Sequence, residues 1–207
     1  MRVFVGLELP ADLRDRLMDL CDGVDGAKWQ RFDQFHLTLR FIGELDRHQL
    51  EDVTTALADI RFGRFPITMK GVGYFGTLAE PRILWAGVAD PEPVAHLARK
   101  VNQALRRAGV AEEPRKFAAH VTLARCTRRT GPITRWLSAL ATFRAEPILI
   151  EHFTLFESRL GHGGAEYNAV ARFPAEDADM EALAAMPWSD TEGIEDMSHL
   201  GEVGSAE

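Results

Sequence analysis

The sequence predicts an α+β domain made of two copies of one unit, and three observations support this. Segments in which apolar and polar residues alternate are interspersed with segments of helical periodicity along residues 2–174. The order strand, helix, strand, helix, strand occurs twice. The middle strand of each copy carries His-x-Thr-Leu, at residues 36–39 and again at 120–123. A shared motif at matching places indicates an internal repeat, and we expect the two copies to face each other.

In the first copy, a proline and a capping motif mark where the helices begin. Pro10 has a backbone angle suited to the first turn of a helix, and apolar residues recur at helical spacing from Leu13 to Val24. Asp46 followed by Gln49 resembles a capping box, which predicts a second helix. The predicted strands of this copy are residues 2–10, 29–44 and 65–75.

The second copy repeats this order. Pro91 begins a helix that ends at Gly109, and Pro132 leads into a shorter helix. The predicted strands are residues 82–88, 116–126, 147–158 and 166–173. The apolar face of the longer helix consists of Val94, Leu97, Val101 and Leu105.

The net charge of −7 is concentrated at one end of the chain. Residues 175–207 contain ten acidic residues and no lysine or arginine, so residues 1–174 hold all 24 basic and 21 of the 31 acidic residues, a net charge of +3. We interpret 1–174 as one folded domain and 175–207 as an acidic, largely disordered tail. A mildly basic domain can bind an anion but does not require one.

The composition disfavours several classes of protein. The two cysteines, Cys21 and Cys126, are too few for a disulfide scaffold or a four-cysteine zinc site. No apolar run approaches the roughly 20 residues of a membrane helix, and Glu8 follows the N-terminal apolar run too early for a secretory signal. We expect a cytoplasmic monomer with no membrane attachment, no metal and no cofactor.

The two His-x-Thr motifs predict a site for an anion. Residues two apart in a strand point to the same face, so His36 and Thr38 share one face, and His120 and Thr122 do likewise. Two such strands side by side would direct two imidazoles and two hydroxyls into one space. In-line cleavage of a phosphodiester needs a base on one side of phosphorus and an acid on the other, and histidine suits both tasks near neutral pH.

The other five histidines are weaker candidates. His48 and His96 lie in predicted helices, His162 in a glycine-rich loop and His199 in the tail, where surface positions are expected. His152 begins a third copy of the tetrapeptide, but its strand is the last of its unit, and the counterpart strand in the first copy has no histidine. We therefore interpret His152 as structural or adjacent to the site.

With their neighbours, both motifs resemble those of a known family. Residues 36–44 read HLTLRFIGE and residues 117–125 read FAAHVTLAR. They are similar to the paired motifs of the two-histidine (2H) phosphoesterases, and most closely to the RNA 2′,3′-cyclic phosphodiesterases, historically called 2′-5′ RNA ligases. Trp29 and the segments 81–85 and 156–158 add to a resemblance that covers about residues 2–174. Ala119 departs from it, because the family usually has proline there.

The resemblance implies a bilobal fold with pseudo-twofold symmetry, in which two antiparallel sheets face a central cleft and helices lie outside. It also implies hydrolysis of an RNA terminal 2′,3′-cyclic phosphate to a 2′-phosphate. In that scheme His36 is the proton donor to the leaving 3′ oxygen and His120 is the proton acceptor that activates water. Thr38 and Thr122 hold the phosphoryl oxygens. The sequence alone leaves the roles of the two histidines interchangeable.

Basic residues near the motifs are predicted to bind the substrate phosphate. Arg40 shares strand parity with His36, so we expect it to point into the cleft. Arg125 has the opposite parity relative to His120 and would need the strand to end or twist before it. Two further arginines follow in a loop, where steering of the substrate and simple solvation are equally reasonable interpretations.

Aromatic residues near the motifs are predicted to stack on a terminal base. The residues in question are Trp29 and Phe117, with Tyr74 and Phe75 as further candidates. For any one of them, packing in the core is the stronger alternative.

Two other functions fit the same residues. A small cyclic nucleotide or a 2′-5′ linked oligonucleotide would use the same acid–base pair. A protein that binds RNA ends with little turnover would need the anion pocket, but binding alone gives no reason for two matched His-x-Thr pairs. We therefore expect RNA ends or cyclic nucleotides as partners and hydrolysis as the reaction.

Overall fold

The computed structural model describes residues 1–161 and 164–177. The predicted tail, from residue 178 onward, and the loop containing His162 lie outside the described residues. The described chain is an α+β fold with four α-helices, α1 Ala11–Met18, α2 Arg47–Ala58, α3 Glu92–Arg107 and α4 Thr134–Ala139, and one short 3₁₀ helix, Phe32–Gln34. Its strands are β1 Arg2–Glu8, β2 Lys28–Trp29, β3 His36–Glu44, β4 Phe65–Ile67, β5 Met69–Gly76, β6 Pro81–Val88, β7 His120–Arg125, β8 Ile148–Ile150, β9 His152–Gly161 and β10 Gly164–Pro174.

One large antiparallel sheet contains eight of these strands. Its order is β10-β9-β1-β3-β7-β6-β5, and β2 pairs with β7. The central strands β3 and β7 are joined by a single residue pair, Leu37 opposite Val121. The strands on one side of this junction (β10, β9, β1 and β3) are called the His36 half below, and those on the other side (β7, β6, β5 and β2) the His120 half. The two sheets expected to face a cleft are thus hydrogen-bonded into one.

Each half of the sheet combines strands from both copies of the sequence repeat. Strands β9 and β10 follow β7 in the chain but extend the sheet beyond β1, where Phe156 lies opposite Phe4. Strand β5 precedes β6 and pairs with it in the other half. Strands β4 and β8 form a separate two-stranded sheet. Neither half can therefore form from one copy alone.

The helices and one face of the sheet enclose the hydrophobic core. Buried residues of all four helices belong to the same apolar cluster as the leucines of the two motifs, Leu37, Leu39 and Leu123. The predicted capping box of α2 is confirmed, because Asp46 accepts a hydrogen bond from the Gln49 backbone N–H at 2.9 Å. No helix among the described residues is long and apolar enough to cross a membrane.

Several predicted elements differ from those observed. The strand expected at 116–126 begins only at His120, because the Ala118 carbonyl contacts the His120 ring and does not join the sheet. The strands expected at 65–75 and 147–158 are each interrupted, so that their first residues form the small second sheet. The first helix ends at Met18, although Leu20 and Val24 beyond it are still buried.

Candidate active site

The junction of β3 and β7 brings the four predicted residues together on one face of the sheet. The residue pair at the junction is buried in the core, and side chains alternate along a strand, so the flanking residues point to the opposite face. In antiparallel order His36 comes opposite Thr122, and Thr38 comes opposite His120. The histidines therefore stand on a diagonal, with backbones about 7–8 Å apart. The two imidazoles therefore lie on the same face of the sheet and near each other.

The backbone fixes both imidazoles in the same way. Nδ1 of His36 lies 2.8 Å from the carbonyl oxygen of Gln34, and Nδ1 of His120 lies 2.7 Å from that of Ala118. A carbonyl oxygen can only accept, so Nδ1 donates the hydrogen bond in each ring. Nε2 is then the atom that takes up or releases a proton. Both rings are held in the same tautomer by the carbonyl two residues upstream.

Aromatic rings enclose His36. The ring centroids of Phe4, Tyr167 and Phe156 lie 4.7, 4.9 and 6.0 Å from that of His36. A Cβ atom at Gly6 would be in ordinary contact with the two phenylalanine rings, 3.4–3.5 Å away, and would lie closer, at 3.0 Å, to the Leu37 carbonyl oxygen. Burial lowers the pKa of His36 to about 4; the hydrogen bond to Gln34 opposes this effect, and the charges of a protonated His120 and of Arg125 add to it.

Two rings from the other half contact His120. Phe75 stands edge-on to it at 4.8 Å, and Trp85 lies at 6.4 Å. The Trp85 ring covers the backbone of Gly73, where a Cβ atom would come within 2.3 Å of it. Burial also lowers the pKa of His120, and the hydrogen bond to Ala118 opposes that effect. Both histidines are therefore predominantly neutral in the free protein at pH 7.

A β-bulge in β3 overturns the prediction for Arg40. Relative to β1, strand β3 contains one extra residue after Thr38, so that Leu39 and Arg40 are both buried on the helix side. The Arg40 guanidinium donates a hydrogen bond to the carbonyl of Ala111, which follows α3. The prediction that Arg40 points into the cleft is wrong, because strict alternation along a strand fails across a bulge.

A second bulge, in β7, has the opposite consequence for Arg125. Trp85 lies opposite Thr122 but Leu84 lies opposite Ala124, so that Leu123 and Ala124 are both buried. Arg125 is exposed, and its charge is close enough to lower the pKa of His36. The bulge thus supplies the local twist that the prediction required for Arg125 to reach the histidine face.

The structure places Trp29 and Phe117 against the hydrophobic core. Trp29 lies opposite Ala124 on β7, and its ring is 6.2 Å from the buried ring of Trp136. Phe117 is half-buried in the loop before β7 and packs on the same core. For both residues the geometry matches the core-packing alternative, whereas Phe75 does contact a histidine.

The third copy of the motif belongs to an ion-pair network in the His36 half. Nε2 of His152 lies 3.4 Å from a Glu8 carboxylate oxygen. That carboxylate also accepts hydrogen bonds from Thr154 Oγ1 at 2.6 Å and from Arg172 Nε at 2.7 Å. Burial raises the pKa of Glu8, but the bonds from these three residues outweigh it and lower the value to about 2. This geometry fits the structural interpretation of His152.

Four aromatic residues in contact with the histidines were not identified as site residues from the sequence: Phe4, Trp85, Phe156 and Tyr167. Two of them lie in the segments 81–85 and 156–158, which the family resemblance had already singled out. A local signal exists for Phe4 as well, because Gly6, two residues later, is a glycine in a strand of otherwise bulky residues. Nothing local in the sequence marks Tyr167.

An antiparallel sheet with two His-x-Thr pairs at its centre defines the class of two-histidine phosphoesterases. Within that class, the family model "LigT like Phosphoesterase" matches residues 7–85 and 87–167. The chain therefore belongs to the LigT-like phosphoesterase family, as the paired motifs predicted.

Similar proteins agree with this membership, and a solved structure shares the fold. An Archaeoglobus fulgidus protein named RNA 2′,3′-cyclic phosphodiesterase is 27% identical over 176 residues, which are 84% of this chain and 99% of that protein. A protein of the same name from Aeropyrum pernix is 30% identical over 67% of this chain and 80% of its own length. The structure of Escherichia coli LigT complexed with 3′-AMP has a TM-score of 0.69 at 24% identity, covering 84% of this chain and 98% of that one.

Proposed function

We propose that this chain is a hydrolase that converts the 2′,3′-cyclic phosphate at an RNA end into a 2′-phosphate, acting as a monomer and without a metal. The names of its relatives support this substrate. The observation that carries the proposal is the matched pair of imidazoles, each fixed with Nδ1–H on a carbonyl and Nε2 available for proton transfer. One ring for each of the two proton transfers is what in-line hydrolysis requires.

Each of the two histidine rings carries out one of the two proton transfers. The base takes a proton from water, whose oxygen bonds to phosphorus while the bond from phosphorus to the 3′ oxygen breaks. The acid gives its proton to that departing oxygen, which leaves a 2′-phosphate. Thr38 and Thr122 would donate hydrogen bonds to the two non-bridging oxygens, and Arg125 would offset their negative charge. Since burial favours neutral histidines, the acid would gain its proton when the substrate anion enters and raises its pKa.

The assignment of roles has two versions. The family resemblance makes His36 the proton donor and His120 the acceptor. The environment favours the reverse, because the pKa of His36 is lowered to about 4 by burial, with the charges of His120 and Arg125 adding to it. In the free protein His120 would then be protonated before His36, although the two titrate as a coupled pair.

We also propose that the two halves of the sheet are related by pseudo-twofold symmetry, with the substrate bound in a cleft across their junction. The family model supports this by matching two successive segments of similar length. The strand order supports it as well, because β3 and β7 are central, β1 and β6 flank them, and β9 and β5 come next.

Turnover of a nucleoside 2′,3′-cyclic phosphate in excess EDTA tests the function. We expect full activity in the wild type and a loss of about 10²–10⁴ in rate for His36→Ala and for His120→Ala. His152→Ala is the matched control. It removes an imidazole that belongs to a copy of the same motif but lies in the ion-pair network. Strict dependence on a metal, or full activity of His120→Ala, would contradict the proposal.

A mononucleotide-sized substrate is the second candidate. Escherichia coli LigT has been solved in complex with 3′-AMP, with NADP+ and with ATP, and these molecules are no larger than a dinucleotide. Comparison of kcat/KM between a cyclic mononucleotide and an oligonucleotide ending in the same cyclic phosphate separates the two candidates. Equal values would mean that RNA beyond the terminal nucleotide contributes nothing.

A further inference from the structure

A cavity lies on the helix side of the sheet, on the face opposite the histidines. It has a volume of about 320 Å³ and is bounded by Arg40 on β3, by α3 and by residues 110–113. Polar side chains of α3, Asn102 and Gln103, line it together with Arg99 and Arg106. This volume is within the range of sites for small ligands.

Arg40 is the most unusual residue of this cavity. It is only 6% exposed, and it is buried because the bulge in β3 turns it away from the face that carries the histidines. One guanidinium nitrogen donates to the carbonyl of Ala111, but Nε and Nη1 are buried without a hydrogen-bond partner among the described residues. Two buried donors on a permanent cation are costly unless an acceptor reaches them.

Burial lowers the pKa of Arg40, and the charges of nearby Glu113 and Glu112 oppose this effect, but among the described residues neither carboxylate is in direct contact with its guanidinium. Of the two acids in the lining, Glu112 pairs with Arg106 at 2.9 Å and Glu113 pairs with Arg115 at 2.9 Å. Arg99 pairs with Glu92 at 2.6 Å, outside the cavity lining. Each carboxylate thus has another arginine in direct contact, and the lining carries three arginines against two glutamates.

We propose that this cavity binds a small oxyanion, the phosphate or carboxylate group of a small molecule, with Arg40 as its central donor. An oxyanion would supply acceptors to Nε and Nη1 and would compensate the remaining charge. The site is distinct from the histidine pair, since Arg40 and Thr38 point to opposite faces of β3. A ligand could occupy it while substrate is bound.

The test uses the full chain with both histidines removed, His36→Ala/His120→Ala, in order to weaken the binding of phosphate at the active site, and the comparison of Arg40 with Arg107 then reports on the cavity. Calorimetric titration with inorganic phosphate and, separately, with citrate shows which oxyanion the cavity prefers. We expect one saturable site for at least one of them. Adding Arg40→Met should weaken that affinity at least tenfold, whereas Arg107→Met, the same change at an exposed position of α3, should alter it less than twofold.

If Arg40→Met does not fold, Arg40→Gln serves in its place, because it removes the charge and keeps a hydrogen-bond donor on the buried side chain. The absence of saturable binding of both probes would overturn the proposal and would mean that the cavity holds only water. Unchanged affinity in a folded Arg40 variant would overturn it as well. Because the histidines are absent from every arm, these outcomes are independent of the proposed hydrolysis.

Discussion

The His36 half and the His120 half share a backbone design but differ in side chains. In each half the histidine ring contacts the carbonyl two residues upstream, and an extra residue enters the strand just after the threonine. In the His36 half the next outward residue is Phe41, half exposed and 5.8 Å from the Phe4 ring. In the His120 half it is Arg125. One backbone arrangement therefore places an aromatic ring on one side of the site and a cation on the other.

Backbone and side chains therefore determine separate properties of the site. The carbonyl contacts and the bulges orient the two imidazoles alike, which suits a reaction that needs two proton carriers. The surroundings make the rings unequal, because three aromatic residues enclose His36 and two contact His120, and the charge of Arg125 acts on His36. Equivalent geometry with unequal electrostatics lets two identical residues take different roles.

The largest expected effect comes from separating those roles. A substrate with sulfur in place of the 3′ oxygen has a leaving group that needs little protonation, so losing the acid should matter much less for it. With the roles implied by the family, His36→Ala should lose about 10²–10⁴ in kcat/KM on the oxygen substrate and less than about tenfold on the sulfur substrate. His120→Ala, lacking the base, should be impaired on both.

Rates of both variants on both substrates, measured at one pH, give the answer. The opposite pattern, in which sulfur rescues His120→Ala, would assign the acid to His120 and would agree with the lower pKa of His36. Rescue of neither variant would contradict a division into one acid and one base.

The sequence predicted the paired motifs because their information is local. His-x-Thr in a strand fixes which side chains share a face, and the repeat fixes which strands are equivalent. The prediction for Arg40 failed and the prediction for Arg125 needed a special condition, and the reason is the same for both. A bulge depends on the partner strand, and the partners of β3 and β7 are β1 and β6, more than 30 residues away in the sequence. The rings around His36 likewise come from β1, β9 and β10, which only the folded sheet brings together.

Stability at mildly acidic pH should reveal how unequal the two halves are. The pKa of His36 in the folded protein, about 4, is below the unfolded value of 6.5, so the unfolded state binds more protons between these values. Stability should therefore fall as the pH drops from 6.5 to 4, by on the order of 3 kcal/mol over the whole window. Urea unfolding of the wild type and of His36→Gln at pH 7 and pH 4.5 measures this loss.

The pH range over which His36 affects stability can be separated from that of Glu8. The folded pKa of Glu8, about 2, is below the unfolded value of 4.5. The stability that Glu8 contributes is present above pH 4.5 and is lost as the pH falls through 2. We expect His120→Gln to change the pH dependence less than His36→Gln does. Equal pH dependence of the wild type and His36→Gln would show that His36 is not enclosed as described.

The glycines beneath the aromatic rings allow a smaller, steric test. A Cβ atom at Gly73 would lie 2.3 Å from the Trp85 ring, which must then move, whereas one at Gly6 would lie 3.0 Å from the Leu37 carbonyl oxygen. We expect Gly73→Ala to lower the free energy of unfolding by about 1–3 kcal/mol and Gly6→Ala to lower it less. Gly63→Ala is the control, since its nearest neighbour atom lies 3.9 Å away. If Gly73→Ala unfolds at the same urea concentration as the control, the Trp85 ring does not lie over that backbone.

The smallest expected effect concerns Arg125 and tests whether the two outward positions are equivalent. Arg125→Met should raise KM for a cyclic phosphate about tenfold, about 1.4 kcal/mol, because an exposed cation contributes modestly and is screened by salt. Arg16→Met, which removes an exposed arginine of α1, should leave KM unchanged. If the bulges place residues 41 and 125 equivalently, Phe41→Arg added to Arg125→Met should recover several-fold in KM, because a cation then approaches the same phosphate from the other half. No recovery, with both variants folded, would mean that the backbone symmetry ends before these positions and that the two halves are equivalent only as far as the histidines and threonines.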